Sequence, residues 1–168
     1  MNYFELFEMP VSLLPDQQQV KQKFYELSRK YHPDFYTKEN EYEQAEALEK
    51  SSFVNKAYKT FQNKDATIKY VLQLKGMLEE EEKYQLPPDF LLEVMELNEQ
   101  LMEAKMEDDE VKLISIKSSI AELQQQIYQP VDSLIKNYKD ETITVQELQD
   151  LKEYYFKKKY LDRILATI

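Results

Sequence analysis

The chain reads as all-α, with two helical modules in succession, and three observations predict this. A single glycine in 168 residues leaves little room for strands and tight turns, which use glycine for positive backbone dihedrals. Apolar residues recur at three- and four-residue spacings in one segment after another, the period of a helix face. The charge is also unevenly divided. Residues 1–76 hold 11 Lys/Arg against 11 Asp/Glu and residues 77–168 hold 11 against 21, so the net charge of −10 falls in the second part. Surfaces that differ this much suggest separate modules.

The first module is expected to contain four helices. Asn2–Phe7 forms a short one, bounded by Pro10 and Pro15. Asp16 can cap the next, with Gln19 three positions on in the manner of a capping box. Val20, Phe24, Leu27 and Tyr31 mark its apolar face, and Pro33 ends it by pushing His32 out of helical dihedrals. Residues 34–43 are polar and aromatic without periodicity and read as a loop. The third helix carries Leu48, Ser51, Val54, Tyr58 and Phe61 on one side. After a break at Asn63-Lys64-Asp65 comes a shorter helix with Ile68, Val71, Leu72 and Leu74, stopping at Gly76, a residue suited to a helix C-terminus.

Residues 77–87, with the run Glu79–Glu82, read as a linker. Pro87-Pro88-Asp89 restarts the chain for a three-helix module over 88–168. Its first helix runs from about Phe90 to Met106. Its second carries Leu113, Ile116, Ile120, Leu123 and Ile127 and continues through Val131 and Leu134, with Pro130 expected to kink or split it. Thr144 with Glu147 forms a capping box for the last helix, which bears Val145, Leu148, Leu151, Tyr155, Leu161 and Ile164.

Composition narrows the function. With no cysteine and one histidine, neither a disulfide framework, a thiolate nucleophile, nor a multi-histidine or cysteine-ligated metal site is available. No cofactor is expected. No apolar run reaches membrane-spanning length, and Met1-Asn2-Tyr3-Phe4-Glu5 lacks the basic start of a signal peptide, so a cytoplasmic location is expected. The acidic second module disfavours nucleic acid, whose phosphates need clustered positive charge. Lys157-Lys158-Lys159 suits a solvated turn near a helix C-terminus. Catalysis needs a mutual constellation of groups. His32 and Asp34 lack a third partner, and no glycine-rich phosphate loop is present, so no enzymatic role is expected.

The lone histidine belongs to His32-Pro33-Asp34. The preceding segment Gln17–Tyr31 carries Lys21, Lys23, Arg29 and Lys30 against Glu26. Such a run is either an ordinary solvated helix face or a docking strip for an acidic protein surface, where charge complementarity steers encounter. Pro33 fixes a bend, His32 offers donor and acceptor, and Asp34 offers a carboxylate that an arginine could grip. The same aspartate could instead cap local backbone groups.

On the first helix of the second module, about 100° per residue groups Phe90, Val94, Leu97 and Leu101 on one side. Leu91, Leu92 and Met95 fall mostly on the other, beside Glu96 and Glu99. A bundle gives each helix one core side, so the second apolar group is surplus: it either packs on the first module, is merely exposed, or forms an interface, which grouped exposed apolar residues mark.

Lys23-Phe24-Tyr25-Glu26-Leu27-Ser28-Arg29-Lys30-Tyr31-His32-Pro33-Asp34, followed by Asn55-Lys56-Ala57-Tyr58-Lys59-Thr60-Phe61, resembles a J-domain over residues 1–76. Asn2–Pro10 and Tyr70–Gly76 are similar to the corresponding stretches of the HscB family, the J-proteins of iron–sulfur cluster assembly. The Gly/Phe-rich sequence that follows many J-domains is absent. The resemblance implies a four-helix J-domain followed by a C-terminal three-helix bundle. It implies that His32, Pro33, Asp34, Lys21, Lys23, Arg29 and Lys30 bind a DnaK/HscA-type chaperone and stimulate its ATPase. It further implies that Leu91, Leu92, Met95, Glu96, Glu99 and Tyr160 bind an IscU-type scaffold protein. Departures are Phe35, where a lysine is common, Asn98, where a charged residue would fit, and Pro130. The N-terminal cysteine pairs of eukaryotic relatives are missing, which implies a bacterial type without zinc. A J-protein for another client, or a helical protein that self-associates through its apolar stripes, are the alternatives.

Overall fold

The computed structural model describes residues 1–167, and among them every regular element is helical. The chain divides into two compact units. One comprises Met1–Leu74 with the short segment Tyr138–Thr142, and the other comprises Lys75–Asn137 and the chain from Ile143 onward.

The first unit holds α1 (Tyr3–Leu6), α2 (Gln17–Tyr31), α3 (Glu41–Gln62) and α4 (Lys64–Leu74). Asn2 and Glu5 close a capping box on α1. The Asp16 carboxylate accepts from the backbone N–H groups of Gln18 and Gln19, satisfying two of the donors a helix start leaves unpaired. Phe4, Phe7, Val20, Leu27, Val54, Phe61, Val71 and Leu72 form the buried core. Phe61 is its centre, with the rings of Phe4 and Phe7 at 4.9 and 5.2 Å. Phe24 of α2 stacks on Tyr58 of α3 at 3.9 Å, and the Gln17 amide donates to the Phe61 carbonyl at 2.9 Å, so α2 is clipped to α3 along its length. At the α3–α4 junction the buried Thr67 hydroxyl lies 2.9 Å from both the Thr60 and Asn63 carbonyls. α4 ends at Leu74, and the chain turns away through Gly76, whose φ of +71° lies in the left-handed region that favours glycine.

The second unit is a bundle of α5 (Pro88–Met106), α6 (Glu110–Tyr128) and α8 (Val145–Leu165), with a short α7 (Asp132–Lys136). Phe90, Val94, Leu101, Ile116, Ile120, Leu123, Leu148, Leu151 and Leu161 are buried at its centre. Thr144 and Glu147 make both bonds of the expected capping box. The stretch before α5 is fastened to α8: Leu78 is buried, Tyr84 stacks on Phe156 at 4.5 Å, and Glu82 pairs with Lys152 at 2.7 Å.

Several expectations about individual positions need correcting. Residues 34–43 are not all loop: Pro33–Tyr36 forms a 3₁₀ turn and α3 begins at Glu41. Leu48 was expected on the buried face of α3 but is 59% exposed, as Ala47 takes that place. Leu74 is exposed too. Pro130 does split the middle helix as expected, into α6, a 3₁₀ turn over Gln129–Val131, and α7, but the apolar stripe does not continue through Leu134. That turn advances the chain by three residues rather than 3.6, which shifts the phase and buries Ile135 instead of Leu134. Leu97 and Leu113 are only partly buried.

Candidate functional site

The His-Pro-Asp bend lies between α2 and α3 and is shaped by local hydrogen bonds. His32 has φ −63° and ψ 129°, extended as a residue before proline must be, and this stops α2. The Asp34 N–H donates to His32 Nδ1 at 3.2 Å. In this arrangement Nδ1 is the acceptor, so the ring proton of a neutral imidazole sits on Nε2 and points outward. Asp34 Oδ2 also lies 3.5 Å from Nδ1, with both side chains largely exposed, and can accept from it when the ring is protonated.

The rest of the loop is tied down on both sides. The Tyr36 hydroxyl donates to the Lys30 carbonyl at 2.8 Å, satisfying a carbonyl that the end of α2 leaves without a helical donor. The Gln44 amide donates to the carbonyls of Thr37 and Glu39 at 3.3 and 2.9 Å. Asn40 caps α3 by accepting from the Glu43 N–H at 2.8 Å. The Phe35 ring is exposed and stands edge-on to His32 at 6.2 Å.

On α2, with Val20, Leu27 and their neighbours inward, Lys21, Arg29 and Lys30 lie on the exposed side. At about 100° per residue, Lys21, Tyr25 and Arg29 fall in one strip leading toward the bend. Lys23 differs from the other three cations. It is partly buried, and its ammonium pairs with Glu8 at 3.0 Å and Glu26 at 3.5 Å. The Glu8 bond raises its pKa, with Glu26 adding to the effect. Lys23 therefore ties α2 to the end of α1, and Lys21, Arg29 and Lys30 supply the outward charge.

In the second unit, α5 turns Phe90, Val94, Leu101 and Ala104 inward. Leu92 and Met95 are 62% and 48% exposed, Glu96 and Glu99 are exposed, and Leu91 is partly buried at the edge. Two residues of this outer face escaped the sequence reading: Met102 and Met106 are 59% and 86% exposed. Continuing the same helical projection past Leu101 places both in line with Met95 and Leu92, so the signal was present. Tyr160, partly buried on α8, lies one turn beyond Lys157, whose ammonium sits 5.3 Å from the Phe90 ring.

Among the described residues no group of three or more His, Asp or Glu is placed to hold a metal, and no helix is long and apolar enough to cross a membrane. Both places present side chains outward, as recognition surfaces do.

Comparison with known proteins bears on both units. The family model of the DnaJ domain matches residues 2–70, and that of the HSCB C-terminal oligomerisation domain matches residues 86–168. A co-chaperone protein HscB homolog of Psychromonas ingrahamii is 34% identical over 132 residues, covering 76% of this chain and 78% of the relative. The crystal structure of human co-chaperone protein HscB superposes with a TM-score of 0.78 at 27% identity, covering 99% of this chain and 80% of the human one. Chaperone HscB from Vibrio cholerae, at 24% identity, shares the fold with a TM-score of 0.66 over 99% of both chains. With a DnaJ domain before an HSCB C-terminal domain and a relative matched across most of its length, the chain belongs to the HscB family of J-domain co-chaperones.

Proposed function

We propose that this co-chaperone stimulates the ATPase of a DnaK/HscA-type chaperone and delivers an IscU-type scaffold to it during iron–sulfur cluster biogenesis, in the cytoplasm. Residues 1–76 act on the chaperone and residues 88–168 hold the scaffold. The observation that carries this reading is the presence of two unlike recognition surfaces in one chain: a rigid polar bend, and an apolar stripe on an acidic bundle.

The chaperone end works by electrostatics and preorganisation. Lys21, Arg29 and Lys30 draw α2 to an acidic surface, where opposite charge raises the encounter rate and selects orientation. His32, Pro33 and Asp34 then meet the chaperone already in shape, so little conformational entropy is lost on docking. His32 presents Nε2–H as a donor and Asp34 presents a carboxylate able to take a bidentate arginine. Nucleotide chemistry stays with the chaperone. At the scaffold end, Leu91, Leu92 and Met95 supply apolar area, Tyr160 adds an aromatic edge, and Glu96 and Glu99 set the orientation of a basic partner. Hydrolysis stimulated at one end closes the chaperone on the scaffold held at the other.

Purified chaperone and scaffold test the division of labour. His32→Gln should bring ATPase stimulation to baseline and leave scaffold affinity, measured by calorimetry, unchanged. Leu92→Ala/Met95→Ala should weaken scaffold binding by about tenfold or more, as expected for two apolar anchors, while the scaffold-independent stimulation persists. Equal loss of both activities in a folded His32→Gln variant would sink the proposal.

A further inference from the structure

We infer that the scaffold-docking face of α5 runs to the end of the helix through Met102 and Met106, and that it receives an elongated apolar strip edged on one side by basic residues. The inference rests on the scaffold reading above and extends it. From Leu91 to Glu99 the docking residues span about 12 Å of helix; from Leu92 to Met106 the apolar line spans about 21 Å, at 1.5 Å per residue.

The projection puts both methionines on the same face as Leu92 and Met95, with Glu99 between the two apolar pairs. With Phe90 as origin, Leu92, Met95, Glu99, Met102 and Met106 all fall within about 120–200°, opposite the core side. Core packing does not account for Met102 and Met106, which are 59% and 86% exposed. Methionine on an exposed face is an unbranched, polarisable side chain that adapts to an irregular partner surface, and an aligned row of such residues marks an interface.

The charges choose the occupant. Glu96 and Glu103, both exposed, border the line on one side at about 220–240° in the same projection. On the opposite border Lys105 is turned away, donating to the Thr167 carbonyl. A one-sided acidic rim calls for a one-sided basic rim, which fixes the direction in which the partner lies along the helix. A membrane surface does not fit, because anionic headgroups attract basic rather than acidic faces. A second copy fits poorly as well. Glu99 is the midpoint between Leu92 and Met106, so antiparallel two-fold pairing of two stripes would set Glu99 against Glu99.

Titration calorimetry of the full chain against purified IscU-type scaffold decides the matter. Both methionines are exposed, so Met102→Gln/Met106→Gln should leave the thermal melt in place. It should raise the scaffold Kd by about tenfold, comparable with the loss from Leu92→Ala/Met95→Ala. A Kd within about twofold of the parent for the glutamine pair, alongside a clear loss for the Leu92/Met95 pair, would overturn the extension and leave the shorter site standing. No loss from either pair would reject α5 as the scaffold site altogether. A parent that sediments as a dimer, dissolved by the glutamine pair, would overturn the inference by making the stripe a self-association surface.

Discussion

The His-Pro-Asp bend and the outer stripe of α5 are both exposed, yet they are held in place by opposite means. The bend is irregular backbone, and its shape depends on bonds made by its own side chains and neighbours: Tyr36 to Lys30, Gln44 to Thr37 and Glu39, Asn40 to Glu43. The stripe is regular helix, held by Phe90, Val94 and Leu101 on its inward side, so its outward residues contribute nothing to their own placement. Shape is the information in the first case and surface chemistry in the second. If the bend is the chaperone site, loss of His32, Pro33 or Asp34 should abolish its function at once, whereas loss of a supporting bond should only thin the population of the docking shape. A stripe weakens by increments, since each side chain contributes its own buried area.

The largest expected effect acts on the foundation of the bend rather than the bend itself. Phe61 is 1% exposed and touches the rings of Tyr3, Phe4 and Phe7. Phe61→Ala should cost about 3–5 kcal/mol of stability through lost burial and the cavity left behind. Urea denaturation followed by circular dichroism would measure it. ATPase stimulation should fall with the folded fraction. His32→Gln makes the contrast: stimulation should vanish with the denaturation curve nearly unmoved, because the imidazole is exposed and the Asp34 N–H it accepts from can turn to water or to the Gln carbonyl. A shifted curve for His32→Gln would show that the bend is structural after all.

How legible each region was in the sequence follows from the same difference. The bend was readable as a motif because proline chemistry acts locally: Pro33 dictates the dihedrals of His32 whatever surrounds it. Its internal bonding was less readable. The 3₁₀ turn is capped by His32 accepting from the Asp34 N–H, and the early start of α3 by Asn40 accepting from the Glu43 N–H, capping pairs hidden in a stretch without apolar rhythm. The stripe was readable from periodicity, but only as far as the helix was projected, and so Met102 and Met106 were missed. Where the reading relied on side-chain size it erred. Leu48 is expected inward from its size, although Ala47, Val54 and Phe61 recur at the seven-residue spacing that returns to the same face and are buried together with Ala57. The pairing of Lys23 with Glu8, 15 residues earlier in the chain, has no local pattern to announce it. The phase shift after Pro130, which exchanges Leu134 for Ile135, depends on the tightness of a single turn and has no signature in hydrophobic spacing.

The smallest expected effect tests whether preorganisation of the bend matters apart from its three named residues. The Tyr36 hydroxyl reaches back across the bend and donates to the Lys30 carbonyl at 2.8 Å. Tyr36→Phe removes that donor and keeps the ring. The carbonyl it abandons lies at the exposed end of α2 and can turn to water, so the stability lost should be about 0.5 kcal/mol, the low end for a hydrogen bond. That is too little to change the folded fraction appreciably. If the bend acts by arriving in shape, the chaperone must now select a less populated conformation, and the half-maximal concentration for ATPase stimulation should rise about two- to threefold through that fraction alone. Maximal stimulation should hold, because His32, Pro33 and Asp34 are intact. Scaffold affinity should also hold, because nothing on α5 has changed. A Tyr36→Phe protein with an unaltered stimulation curve would mean that the tripeptide orders itself against the chaperone, and the contrast between a preformed bend and a graded stripe would lose its first half.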